Sequence, residues 1–203
     1  MSRRHIHLPD FAVTVRWVLN GLVALVAAFL VQAAGASMLD PAVEYRIKGA
    51  YLFNFTRFVS WPSGGSEAED DAFVIAVIDP IPGAPAAQTI AAALKQKTAG
   101  SRPIVVKSHP SLPRELEGVR LIFLTAPARD QLDAARRRIG DRPVLLVGET
   151  SGFAEDGGTI NLVVTGDNVR CEINLRQAER AGLKLSGRLA NVSRLVREER
   201  IRE

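Results

Sequence analysis

The strongest constraint on this chain is a set of short apolar runs, each stopped by a turn residue. Residues 73–78 read Phe-Val-Ile-Ala-Val-Ile and stop at Asp79-Pro80. Residues 119–124 stop at Thr125-Ala126-Pro127, and residues 144–147 stop at Gly148. A shorter run covers 103–107. Runs of this length, with no polar alternation, fit strands buried on both faces, as in parallel sheets covered by helices. The intervening segments, 86–95 and 128–139, carry helical patterns, the second with an arginine-rich outer face. Strand and helix therefore alternate, which predicts an α/β fold built from right-handed crossovers.

The ends of the chain read differently. Asp40-Pro41 predicts a helix start, with an N-cap followed by proline at the first helical position. The helix that follows carries Ile47, Tyr51, Leu52, Phe55, Phe58 and Val59, and its apolar arc is wider than one face needs. It is expected to be buried on more than one side. Residues 159–164 and 169–175 predict two strands joined by a hairpin-like turn at Thr165-Gly166-Asp167-Asn168. In the second, Val169, Cys171 and Ile173 alternate with Arg170, Glu172 and Asn174, giving an inward and an outward face. The expected sheet is mainly parallel, of about six strands, with this antiparallel C-terminal hairpin at one edge. Residues 175–180 and 188–199 are expected as closing helices, the last with a solvated face that pairs Arg194 with Glu198.

Before all this comes an address. Arg3, Arg4 and Arg16 precede an almost uncharged apolar run from 17 to 31, which ends in Ala34-Gly35-Ala36. A basic start, a short apolar middle and small residues at the cut are the pattern of a cleaved secretory signal. The run is shorter than the roughly 20 residues needed to span a bilayer. The expectation is a signal peptide over 1–36, cut after Ala36, and a single domain over 37–203. The exported part is closer to neutral than the whole chain's +4, because the leader carries three arginines against Asp10. That balance argues against a nucleic-acid binder, which needs a clustered basic face.

Chemistry-bearing groups are few. One cysteine in 203 residues excludes an internal disulfide framework and a cysteine-built zinc site. Cys171, on the apolar side of its strand, reads as a buried thiol. His109, the one histidine after the leader, stands beside Pro110 in an expected loop with no metal-ligand spacing around it. Gly148-Glu149-Thr150-Ser151-Gly152 does not centre its serine as a nucleophile elbow does. There is no phosphate-binding glycine motif after the first strand. No metal, no cofactor and no enzymatic activity are expected. One softer constellation remains: Asp79, Thr125 and Glu149 each follow a predicted strand. Ligands in open α/β sheets sit outside those carboxyl ends, so the three define a candidate ligand crevice. Ordinary turn chemistry explains the same residues equally simply.

Tyr45–Pro62, YRIKGAYLFNFTRFVSWP, resembles the start of the YfiR family of exported bacterial proteins. So do LTAPARDQL at 124–132 and the block at 145–196, with Phe153, Gly157-Gly158-Thr159-Ile160, Glu172-Ile173-Asn174 and the run from Ala181 to Ser186. The resemblance implies a three-layer α/β/α sandwich, often dimeric. It implies a periplasmic repressor that binds the periplasmic sensing domain of an inner-membrane diguanylate cyclase, inhibits it and so lowers cyclic di-GMP signalling. Some family members carry four cysteines in two disulfides, and the single Cys171 means that redox control does not carry over. Phe153 and the outward Glu172 and Asn174 are the expected partner-binding residues. The simpler alternative makes Phe153 core and lets Glu172 and Asn174 hydrogen-bond the terminal helix. A periplasmic small-ligand sensor serving another membrane receptor is the alternative function, using the crevice of Asp79, Thr125 and Glu149.

Overall fold

The structure is a computed structural model, and it describes residues 39–62 and 72–196. The expected signal peptide and its cut after Ala36 lie outside the described residues. Among the described residues, no helix is long and apolar enough to cross a membrane.

Helix α1 (Pro41–Phe58) opens as the sequence predicts: the Ala42 amide donates to the Asp40 carboxylate at 2.7 Å, and Pro41 occupies the first turn. Strand β1 (Val59–Ser60) follows at once, then β2 (Phe73–Ile78), α2 (Pro85–Leu94), β3 (Thr98–Ala99), β4 (Arg102–His109) and β5 (Val119–Leu124). The arginine-rich segment then divides. Ala126–Gln131 forms a 3-10 helix, and only Leu132–Ile139 is α-helical, as α3. Next come β6 (Leu145–Gly148), β7 (Ile160–Thr165), β8 (Asn168–Asn174), α4 (Leu175–Arg180), β9 (Lys184–Leu185), α5 (Gly187–Asn191) and β10 (Arg194–Val196).

Eight strands form the main sheet in the order β10-β8-β7-β6-β5-β2-β4-β3. The central run from β7 to β4 is parallel throughout. Its heart, β2, β5 and β6, is buried at every position, as the unbroken apolar runs require. One core cluster joins the sheet to α1, α2 and α4, with Leu52, Phe55 and Ile90 at its centre. A second lies on the opposite face under α3, with Ile122, Ala128, Leu132 and Phe153. Helices and loops therefore cover both faces, giving a three-layer α/β architecture.

Three expectations change in detail. The strand count rises above six because two short edge strands, β3 and β10, were not visible as apolar runs. The antiparallel hairpin β7–β8 is not the edge, since β10 adds to β8 in parallel. The long helix expected over 188–199 is replaced, within the described residues, by α5 and β10. Arg194 thus lies on a strand, where it pairs with Glu172 rather than with a residue one helical turn on.

Candidate functional site

Two polar clusters sit near strand ends, the first past the carboxyl ends of β2, β5 and β6 and the second where β7 and β10 begin, and the fold builds each from local rules. The first is the crevice expected from Asp79, Thr125 and Glu149. These residues follow β2, β5 and β6, which run parallel side by side, so their ends meet on one edge of the sheet. The chain reverses its direction of strand addition between β2 and β5, because β4 lies on one side of β2 while β5 and β6 lie on the other. That is the switch point at which α/β sheets place ligands.

Here the opening is filled from within. Lys48 on α1 is buried, and its ammonium contacts Glu149 Oε2 at 2.6 Å and also the Glu44 carboxylate one turn back. The other Glu149 oxygen, Oε1, accepts from the Tyr45 hydroxyl at 3.1 Å and from the Ala126 amide at 2.6 Å. Burial, followed by the charge and hydrogen bond of Glu149, pushes the Tyr45 phenol far above its usual range. Thr125 is fully buried, and its hydroxyl donates to the Ile78 carbonyl at 3.0 Å. Asp79 accepts from the Ile81 amide at 3.1 Å, which is ordinary turn chemistry. The three residues do converge, but Lys48 and Tyr45 occupy Glu149. Neither was singled out from the sequence. A lone lysine in a helix apolar on several sides, with Glu44 four residues earlier, is the signal that pointed to it.

The second cluster is laid out by strand register. Gly148 pairs with Asn161, Asn161 with Glu172, and Glu172 with Arg194, so four strands contribute to one row. Cross-strand neighbours in such a row share a face. Asn161 Nδ2 donates to Glu172 Oε2 at 3.0 Å and to the Thr150 carbonyl at 2.7 Å. Arg194 donates to Glu172 Oε1 from Nε at 2.9 Å, and to Glu155 Oε1 from Nη2 at 3.0 Å. The Arg194 side chain is 63% exposed, while that of Glu172 is only 13% exposed. Beside them a cavity of about 430 Å³ is lined by Val163, Arg170, Glu172, Val192 and Arg194 among others. Val192 and Leu195, 77% and 51% exposed, stand at this edge.

The expected partner-binding residues take different places. Phe153 is fully buried, and its ring lies between Gly148 and Gly158. A Cβ on either glycine would come within 2.3 Å of a ring carbon, so both positions must lack one. Asn174 is not outward but fully buried. Its side chain accepts from the Gln177 amide at 3.2 Å, capping α4, and donates to the Ala154 carbonyl at 2.8 Å. The physical reason is that the segment 149–158 folds over this end of β8 and covers the face that alternation alone assigns to solvent. Glu172 is the one of the three that reaches the surface, through Arg194.

The remaining candidates are placed simply. His109 is the last residue of β4, paired with Ile78, rather than part of a loop. Burial and the nearby Lys107 lower its pKa. Cys171 is buried, and burial raises its thiol to about 11. That leaves it a protonated, unreactive side chain near neutral pH. Among the described residues, no three His, Cys, Asp or Glu side chains group to hold a metal ion.

Comparison with known proteins yields one strong match. A search of the curated proteins finds no match. Among solved structures, a conserved domain protein from Vibrio cholerae aligns with a TM-score of 0.44 and 14% identity, over 64% of this chain and 56% of that one. An ABC domain in complex with L-Trp from Streptococcus pneumoniae aligns with a TM-score of 0.41 and 10% identity, over 62% and 55%. The chain thus spans little more than half the length of either structure. The sequence pattern of the YfiR/HmsC-like family, in contrast, matches residues 45–194, from the Tyr45 that holds Glu149 to the Arg194 that closes the second cluster. The chain belongs to the YfiR/HmsC-like family.

Proposed function

We propose that this chain is a periplasmic repressor: it docks on the periplasmic sensing domain of an inner-membrane diguanylate cyclase and holds that enzyme in its inactive state, lowering cyclic di-GMP. The observation that carries this reading is the family match over 45–194, a family of periplasmic regulators of the diguanylate cyclase system. A protein of this kind acts by binding one state of its partner better than the other, and it shifts the equilibrium only by that difference. A hundredfold shift needs about 2.7 kcal/mol of differential affinity. One modest interface suffices for that.

The docking face we favour is the β8–β10 edge. Val192 and Leu195 supply exposed apolar area there, flanked by Arg194 and Glu172. Phe153 and Asn174 act beneath this face, fixing the segment 149–158 that carries Glu155. A small-ligand sensor at the crevice of Asp79, Thr125 and Glu149 is the weaker reading, because a ligand would have to displace Lys48 and Tyr45 from Glu149.

The test is capture from bacterial membranes with the purified exported protein as bait. A membrane diguanylate cyclase is expected among the captured proteins. Val192→Glu and Leu195→Glu together should abolish capture without changing the melting temperature. Capture that survives both changes would move the interface elsewhere, and absence of any cyclase would count against repression.

A further inference from the structure

Among the described residues there is a further cavity, of about 310 Å³, that neither polar cluster uses. It opens at the opposite end of the strands from the crevice of Asp79, Thr125 and Glu149: Val144 and Thr159, the residues just before β6 and β7, line it. Two arginines reach it from different elements, Arg136 from α3 and Arg180 from α4, and Gln177, one turn before Arg180, adds an amide. Arg136 is held in place by backbone. Gly157 is buried and has a φ of +100°, and a Cβ there would come within 2.5 Å of Arg136 Cζ and Nε. The guanidinium therefore packs directly on the glycine, which must lack a side chain for it to do so.

The charge of the lining is one-sided. Two guanidiniums and the carboxylate of Asp141 leave one net positive charge around the cavity. The contact of Arg136 with Asp133 is long, at 3.5 Å, and the Asp133 side chain is 71% exposed, so water screens it. Nearby cations serve carbonyls instead: Arg138 donates to that of Pro113 and Arg142 to that of Ile139. Like charges on two sides of one concavity repel each other and attract an anion. A guanidinium carries five donors in a planar fork that matches carboxylate and phosphate oxygens, so each can serve a protein neighbour and a ligand together. We infer that this cavity binds a small oxyanion, a carboxylate or phosphate group, between Arg136 and Arg180, with Gln177 as a further donor. Ile139, Leu146 and Ala181 line it with carbon and take the short apolar body of a carboxylate. The site does not depend on where the partner docks.

The experiment is a calorimetric titration of the whole exported protein with sodium phosphate and, separately, sodium hexanoate, paired with thermal unfolding. Sodium chloride at equal ionic strength is the control for screening. Saturable binding of one probe or both is expected, with a melting temperature raised beyond that in sodium chloride. Phosphate alone identifies a phosphate site, and hexanoate alone a carboxylate carried on carbon. Arg136→Gln and Arg180→Gln should each weaken binding by about tenfold or more. Arg137→Gln, exposed on the same helix and outside the lining, should leave it unchanged. Arg136 also packs on Gly157, so the exposed Arg180 is the decisive position: its variant should melt like the natural protein when no probe is added. No saturable binding of either probe would overturn the inference. So would unchanged affinity in Arg180→Gln, or an equal melting shift in sodium chloride.

Discussion

The two polar clusters near the ends of the strands differ in how fully they are satisfied. At the crevice, Lys48 is enclosed, and each Glu149 oxygen has a donor at hydrogen-bond distance. At the β8–β10 edge, Arg194 is largely in water while Thr150 Oγ1, Glu155 Oε2 and Asn161 Oδ1 nearby lack partners among the described residues. The contrast separates a lock from a handle. A buried, fully engaged ion pair fixes how α1 seats on the sheet, and little can act on it without unfolding something. A half-exposed pair with unsatisfied neighbours can exchange partners at low cost. This difference is the reason the proposed docking face is set at the edge and not at the crevice.

The largest expected effect breaks the lock. Glu149→Ala leaves Lys48 buried with Glu44 as its remaining acid, and should cost about 3–5 kcal/mol in urea unfolding. Replacing both partners, Lys48→Met with Glu149→Leu, should recover most of that loss. A loss below about 1 kcal/mol for Glu149→Ala would mean the pair behaves as an exposed one. Next comes Asn174→Ala, which removes the cap of α4 and the bond to Ala154. The sum should be about 2 kcal/mol, measured the same way.

Arg194→Ala sharpens the comparison from the other side. The arginine end of its ion pairs is open to water while Glu172 and Glu155 are largely enclosed, so unfolding should change by about 1 kcal/mol, well below the loss for Glu149→Ala. Capture of the membrane partner should nevertheless fall. The last effect is confined to alkaline pH. Burial, chiefly, raises the Cys171 thiol from its ordinary 9.0 to about 11, so the fold favours the protonated form. That contribution is complete below pH 9 and is lost as pH rises toward 11. Cys171→Ala should flatten this part of the alkaline decline in melting temperature, while the Tyr45 contribution, of the same sign, remains.

Much of the architecture was legible because burial on both faces leaves a plain mark. Phe73–Ile78 and Val119–Leu124 are strands over the expected residues, and Asp40-Pro41 starts α1 as expected. The edge strands were not legible. Thr98–Ala99 and Arg194–Val196 are too short to show a period, and the Arg/Glu alternation after residue 188 mimics a helical surface. At the sites, convergence of Asp79, Thr125 and Glu149 follows from parallel strands, and this could be read in advance. What fills the space could not. Lys48 comes from about a hundred residues away in sequence, and helical periodicity gives no sign of which sheet end it meets. Asn174 misleads for a related reason: alternation along β8 marks its face correctly but cannot show that the segment 149–158 lies over it.

The central claim is that this protein restrains a membrane diguanylate cyclase by docking on it. Cellular cyclic di-GMP, measured in cells with and without the gene for this chain, tests that most directly. The account predicts a rise on deletion that is reversed by the natural protein and not by the Val192→Glu, Leu195→Glu variant. A level unmoved by deletion would contradict it.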